Sequence, residues 1–300
     1  MTSESSFFPP NGIKLVDGVI STEEYRVHLD GLLNGYEQSG LAPPNLRDEV
    51  MAGCGNPQQK QKLWACVWEA MLYRHFYTKG FQFRTDRARK SGQHGPDLGL
   101  ISGNKTIWVE AVVPTSEGLP DEWIRPPGGM NAREYPHEAM LLRLTSVISE
   151  KHKQYQARLS KGVVDRDEPY VVAVNTYLLS GHPVQGKLNA RPPYAVAAVY
   201  PVGDPRCTFY PNSTNFERQS RDSIIKRNGA AVQTTSFLDC EYEGISALIQ
   251  GSVNNMLDGS LALIAVHNVC ARNRIEAREL GVGQEIIPEE DKNGSIKIDF

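Results

Sequence analysis

The sequence predicts an α/β fold: a central mixed sheet flanked by helices, with a C-terminal α/β elaboration. Three observations predict it. Residues 61–79 lack Gly and Pro and run into Gly80, the pattern of a helix with a defined C-terminal stop. Two apolar runs, 97–101 and 106–113, are separated by Ser102-Gly103-Asn104-Lys105, which is hairpin chemistry. An amphipathic stretch, 137–160, stops at Gly162 and is followed by the β-branched run 170–175, a helix leading into a buried strand. Residues 81–85 alternate as a strand, so the predicted order is helix, three strands, helix, strand.

The flanking segments are assigned in the same way. Residues 1–60 are rich in Pro, Gly, Ser and Asn and read as a partly irregular N-terminal arm, with one amphipathic stretch at 22–36. Residues 61–300 read as one domain, with a core at 61–176 and the elaboration at 177–300. Further strands are predicted at 194–200, 245–251 and 261–267, and a helix at 215–228. Loops are expected at 86–95, 115–131 and 180–193.

Hydrophobic residues make up 40% and charged residues 22%, a balance that suits a globular chain with a sizeable core. No apolar run approaches the roughly 18 residues that cross a bilayer, so no membrane association is expected. Five scattered cysteines without a C-x-x-C pair, and an N-terminus without a basic and apolar leader, point to a cytoplasmic setting. The net charge of -3 is not that of a broadly basic nucleic-acid binder. A local basic patch nevertheless runs from Arg84 through Arg87 and Arg89 to Lys90.

Asp97 opens one predicted strand and Glu110 lies inside the next, among Trp108, Val109, Ala111 and Val112. A carboxylate in such a strand needs a partner, because burying an unpaired charge costs several kcal/mol. The hairpin would bring Asp97 and Glu110 within about 4–6 Å, where a divalent cation removes their repulsion. Hard oxygen ligands suit Mg²⁺ or Mn²⁺. Glu69, flanked on its helix by Ala65, Cys66, Leu72 and Tyr73, adds a third acid in an apolar setting. On the long helix, Lys151 falls at the edge of the apolar stripe Leu141, Leu144, Ile148, Tyr155 and Leu159, while Lys153 points away from it.

The succession of helix Glu69, Pro96-Asp97 at a strand start, Glu110 in the next strand, then a helix and a strand, resembles the PD-(D/E)XK nuclease superfamily. That resemblance covers roughly 115 residues. It implies a restriction-endonuclease-like αβββαβ core in which Asp97 and Glu110 bind Mg²⁺ and Glu69 assists. It also implies a lysine two residues after the second acid, where this chain has Val112. Some members supply the amino group from the following helix, and Lys151 is the candidate for that role; Gln154 and Tyr155 are loosely similar to polar residues that other branches carry there. The implied activity is metal-dependent phosphodiester hydrolysis in nucleic acid, DNA being the favoured substrate. Arg84, Arg87, Arg89 and Arg143 would then hold flanking phosphates.

Two other readings stand beside it. Val112 and the negative charge also fit a catalytically inactive module of the same fold that binds nucleic acid or a protein. A histidine-based metal hydrolase would draw on His94, His137, His152, His182 and His267, but these form no H-x-x-x-H or H-E-x-x-H pair.

Overall fold

The computed structural model describes residues 6–8, 23–85, 95–120, 136–180, 192–211, 213–252, 261–290 and 296–299. Its centre is a seven-stranded mixed sheet between helices. Helices α1 (Glu23–Gln38), α2 (Leu46–Gly55) and α3 (Lys60–Thr78) come first. Strands β1 (Gln82–Phe83), β2 (Leu98–Ser102) and β3 (Lys105–Val112) follow as an antiparallel meander. The β2–β3 turn closes with Ser102 paired to Lys105, and Gly103 takes a φ of 58°, a value that glycine adopts without cost. The long helix α4 (His137–Ser160) then crosses over the sheet and returns the chain in β4 (Tyr170–Asn175), parallel to β3.

Beyond β4 come two short helices, α5 (Tyr177–Ser180) and α6 (Tyr194–Val199), and a long antiparallel ribbon of β5 (Val202–Tyr210) and β6 (Ser213–Ser220). A smaller hairpin, β7 (Ser223–Ile225) and β8 (Ala231–Gln233), follows. The main sheet is completed by β9 (Ala247–Gly251), parallel to β4, then β10 (Ile264–His267) and β11 (Gln284–Ile286). Its strand order is β1-β2-β3-β4-β9-β10-β11.

Side-chain alternation splits the core into two layers. Ile107, Val109, Val171 and Ala173 face α3 and the N-terminal helices. Trp108, Tyr170, Val172 and Val174 face α4 and α6. Trp68 pins α3 to the sheet: its ring is fully buried and its indole N–H donates to the Ala173 carbonyl at 2.9 Å. Among the described residues no helix is long and apolar enough to cross a membrane.

Three expectations are corrected. The N-terminal arm is mostly helical between residues 23 and 55, and Leu29, Leu33, Tyr36, Leu46 and Val50 are buried in the same core as α3. Residues 194–199 form a helix rather than a strand. The run is apolar throughout and so carries no period, its alanines favour helix, and the Gln250 side chain accepts from the Ala195 N–H at 2.7 Å. Residues 213–220 and 223–225 are strands rather than one helix, because β5 and β8 supply ladder partners that outweigh local helix propensity.

Three histidines make the fold sensitive to acid. Burial lowers the pKa of His28, His75 and His152 below 6.5; Arg74 adds to this at His28, and the charges of Glu241 and Asp239 oppose it at His152. Each imidazole binds a proton more readily unfolded than folded. Its contribution is complete above the unfolded value and is lost as pH falls through the folded value. Tm is expected to be level near pH 8 and to fall across the acid window below about pH 6.5. A thermal-unfolding series with constant Tm over that window would contradict the burial of these rings.

Candidate functional site

Glu110 occupies the α4-facing side of β3, next to the pair Trp108↔Tyr170. It is 3% exposed. Three side chains make that burial tolerable. Lys151 Nζ lies 2.7 Å from Oε1. The Arg158 guanidinium bonds Oε2 through Nη1 and approaches Oε1 through Nη2 at 3.4 Å. The Tyr170 hydroxyl donates to Oε2 at 3.3 Å. Arg158 also donates to the Tyr170 hydroxyl at 2.6 Å and to the Gly95 carbonyl at 3.1 Å, which ties the segment before β2 to α4. Burial opposes the charge on Arg158, but Glu110, Tyr170 and Asp97 outweigh it and raise the guanidinium pKa. Burial first, then the Glu110 charge, pushes the Tyr170 phenol well above its ordinary value, so it stays a neutral donor.

Helix geometry explains the convergence. Lys151 and Arg158 are seven residues apart, nearly two turns, and share the inward stripe with Leu144, Ile148 and Tyr155. Lys153 is exposed. Lys151 is also held by the Gln154 side chain at 3.0 Å. Tyr155 packs on Tyr170 with ring centroids 5.0 Å apart, and Gly244 fits against the Tyr155 ring. A Cβ on Gly244 would come within 2.1 Å of that ring. Gly244→Ala is therefore expected to push Tyr155 off Tyr170, lower Tm and weaken any activity of the cluster; an unchanged near-ultraviolet circular dichroism spectrum and Tm would refute the coupling.

The pairing Leu98↔Val109, continued by one residue, sets Asp97 opposite Glu110. Asp97 Oδ2 accepts from the Ala111 N–H at 2.7 Å, and its charge is felt by both Arg158 and Tyr170. Glu69 lies on α3, which packs on the other face of the sheet, and accepts from the Tyr36 hydroxyl at 3.0 Å. Among the described residues no three His, Cys, Asp or Glu side chains gather as a cation site. Asp97 and Glu110 suit Mg²⁺ or Mn²⁺ in donor chemistry, being hard carboxylate oxygens. A carboxylate offers about four lone-pair positions, and four contacts already use those of Glu110. Glu110 can therefore take a cation only as one of its present partners gives way.

Of the arginines expected to hold phosphate, Arg84 and Arg143 are among the described residues. Arg84 donates to Thr106 Oγ1 at 3.0 Å and to Glu168 at 3.2 Å, and lies over the Trp108 ring. Arg143 braces the loop after β3 through the Thr115 carbonyl and hydroxyl, at 3.1 and 2.7 Å. Arg87 and Arg89 lie outside the described residues, as do His94 and His182. Arg158 and Tyr170 were not singled out from sequence. The signal for Arg158 was its spacing of seven from Lys151; for Tyr170 it was a hydroxyl at the start of a strand adjacent to Glu110.

Compared with models of known protein families, with characterised proteins and with solved structures, the chain matches none.

Proposed function

We propose that this protein is a metal-dependent nuclease of the PD-(D/E)XK type, acting on phosphodiester bonds of nucleic acid. The observation that carries the reading is Lys151. Its amino group reaches the strand carboxylate, Glu110, at 2.7 Å from the helix after β3, while Val112 stands where the family motif has its lysine. The strand order β1-β2-β3-β4, with a helix between the parallel β3 and β4, supports the same core.

In this reading Asp97 and Glu110 hold the cation. Mg²⁺ or Mn²⁺ there would supply an acidified water and neutralise phosphate charge. Lys151 stabilises the attacking hydroxide and the charge that develops on the phosphate oxygens. Asp97 is oriented by the Ala111 N–H immediately before β2. The test is cleavage of plasmid DNA and of labelled DNA and RNA oligonucleotides in Mg²⁺, Mn²⁺ or EDTA, with Glu110→Gln as control. Metal-dependent cleavage lost in the variant is the expected result; cleavage by neither protein would remove the enzymatic reading.

The second reading is an inactive module of this fold. It is favoured by one observation: Glu110 is already neutralised by two cationic side chains. Nucleic-acid binding by wild type that is indifferent to divalent ions, without cleavage, would establish it.

A further inference from the structure

We propose that Arg158 is the phosphate-binding residue of this centre, and that its transfer from Glu110 to the substrate phosphate opens Glu110 to the cation. The inference rests on the nuclease reading and adds an order of assembly to it: substrate and metal bind together, each poorly without the other.

The charge count motivates it. Asp97 and Glu110 carry two negative charges, and Lys151 and Arg158 carry two positive ones. Among the described residues these charges balance. A divalent ion added to it meets two cations in a largely buried space, where charges are poorly screened. An ion pair with Glu110 must therefore be exchanged, not merely supplemented. Lys151 is the wrong one to leave, since the reading above keeps it at the reacting phosphate.

Arg158 is suited to the exchange. Its planar fork already makes a two-pronged contact with a carboxylate, and phosphate oxygens present the same geometry. Its side chain is 14% exposed, as is that of Lys151, so both keep some contact with solvent. Two of its other partners, the Tyr170 hydroxyl and the Gly95 carbonyl, are neutral acceptors. They help hold the guanidinium beside Glu110, where the carboxylate can be replaced by another anion. When Arg158 swings to a phosphodiester, one position on Oε2 and one on Oε1 are released, opposite Asp97. The anion brings its own negative charge, so the cation then enters a site that is no longer balanced without it.

Two measurements on the full chain test this. In the first, Mn²⁺ and Ca²⁺ binding are measured by calorimetry without nucleic acid. Wild type is expected to bind weakly and Arg158→Met at least about tenfold more tightly, because Glu110 is already open. In the second, the anisotropy of a labelled twelve-base-pair DNA duplex is followed in Ca²⁺ and in EDTA. Ca²⁺ is expected to tighten duplex binding by wild type at least about tenfold, and to change binding by Arg158→Met little. If wild type binds metal alone as tightly as Arg158→Met, the exchange is refuted and the nuclease reading stands. If neither ion binds wild type or variant, and Glu110→Gln behaves identically, the metal centre itself is refuted. Should Arg158→Met fail to fold, Tyr170→Phe decides: it keeps the ring, removes a hydroxyl that holds Arg158, and is expected to tighten metal binding by about threefold. No tightening in that variant would overturn the proposal.

Discussion

Glu110→Ala is expected to abolish cleavage and to cost about 3–5 kcal/mol of stability, because it leaves two buried cations without their shared carboxylate. Lys151 and Arg158 would face each other across the vacated space, and the Tyr170 hydroxyl would lose its acceptor. Glu110→Gln keeps the shape and one acceptor oxygen, so its stability loss is expected to be smaller, while its loss of activity is as complete. Tm from calorimetry, measured beside cleavage rates, separates the two effects. An alanine variant as stable as wild type would mean that the cluster is hydrated and its ion pairs weak.

Lys151→Ala is expected to lower the cleavage rate by roughly two to three orders of magnitude, the range for removing one positioned donor at a developing charge. Metal binding should persist, because Asp97 and Glu110 remain. Lys153→Ala, two residues on and exposed, should change little. The pair forms an internal comparison: both variants remove the same charge from the same helix, and only the inward one meets Glu110. Equal rates in wild type and Lys151→Ala would end the assignment of the amino group to this helix and favour the inactive module.

Some of this centre was legible in the sequence. Glu110 stood out because a charge in a run of Trp, Val and Ala must be compensated. Lys151 followed from the 100° step of the helix. The element order from α3 to β4 was legible for the same reason: Gly80, the Ser102–Lys105 turn and Gly162 punctuate segments whose periods differ. The elaboration was harder. The segment 194–199 is apolar at every position, so neither period could be read, and the ribbon strand at 213–220 has composition compatible with a helix.

What the sequence by itself determined is therefore local: a buried acid on β3, a lysine turned toward the sheet, and a hairpin that sets Asp97 at the strand mouth. Periodicity and turn chemistry act within a few residues, and these features need no more. What only the tertiary structure decided is partnership. Arg158 reaches Glu110 across 48 positions of sequence, Tyr170 across 60, and Gly95 is tied to Arg158 across 63. The contacts of Glu69 with Tyr36, of Arg84 with Thr106 and of Arg143 with Thr115 are likewise set by packing and not by spacing. Which charges meet depends on the packing of α4 onto one face of the sheet, and that packing is set by the summed contacts of Leu144, Ile148, Tyr155 and their neighbours rather than by any motif.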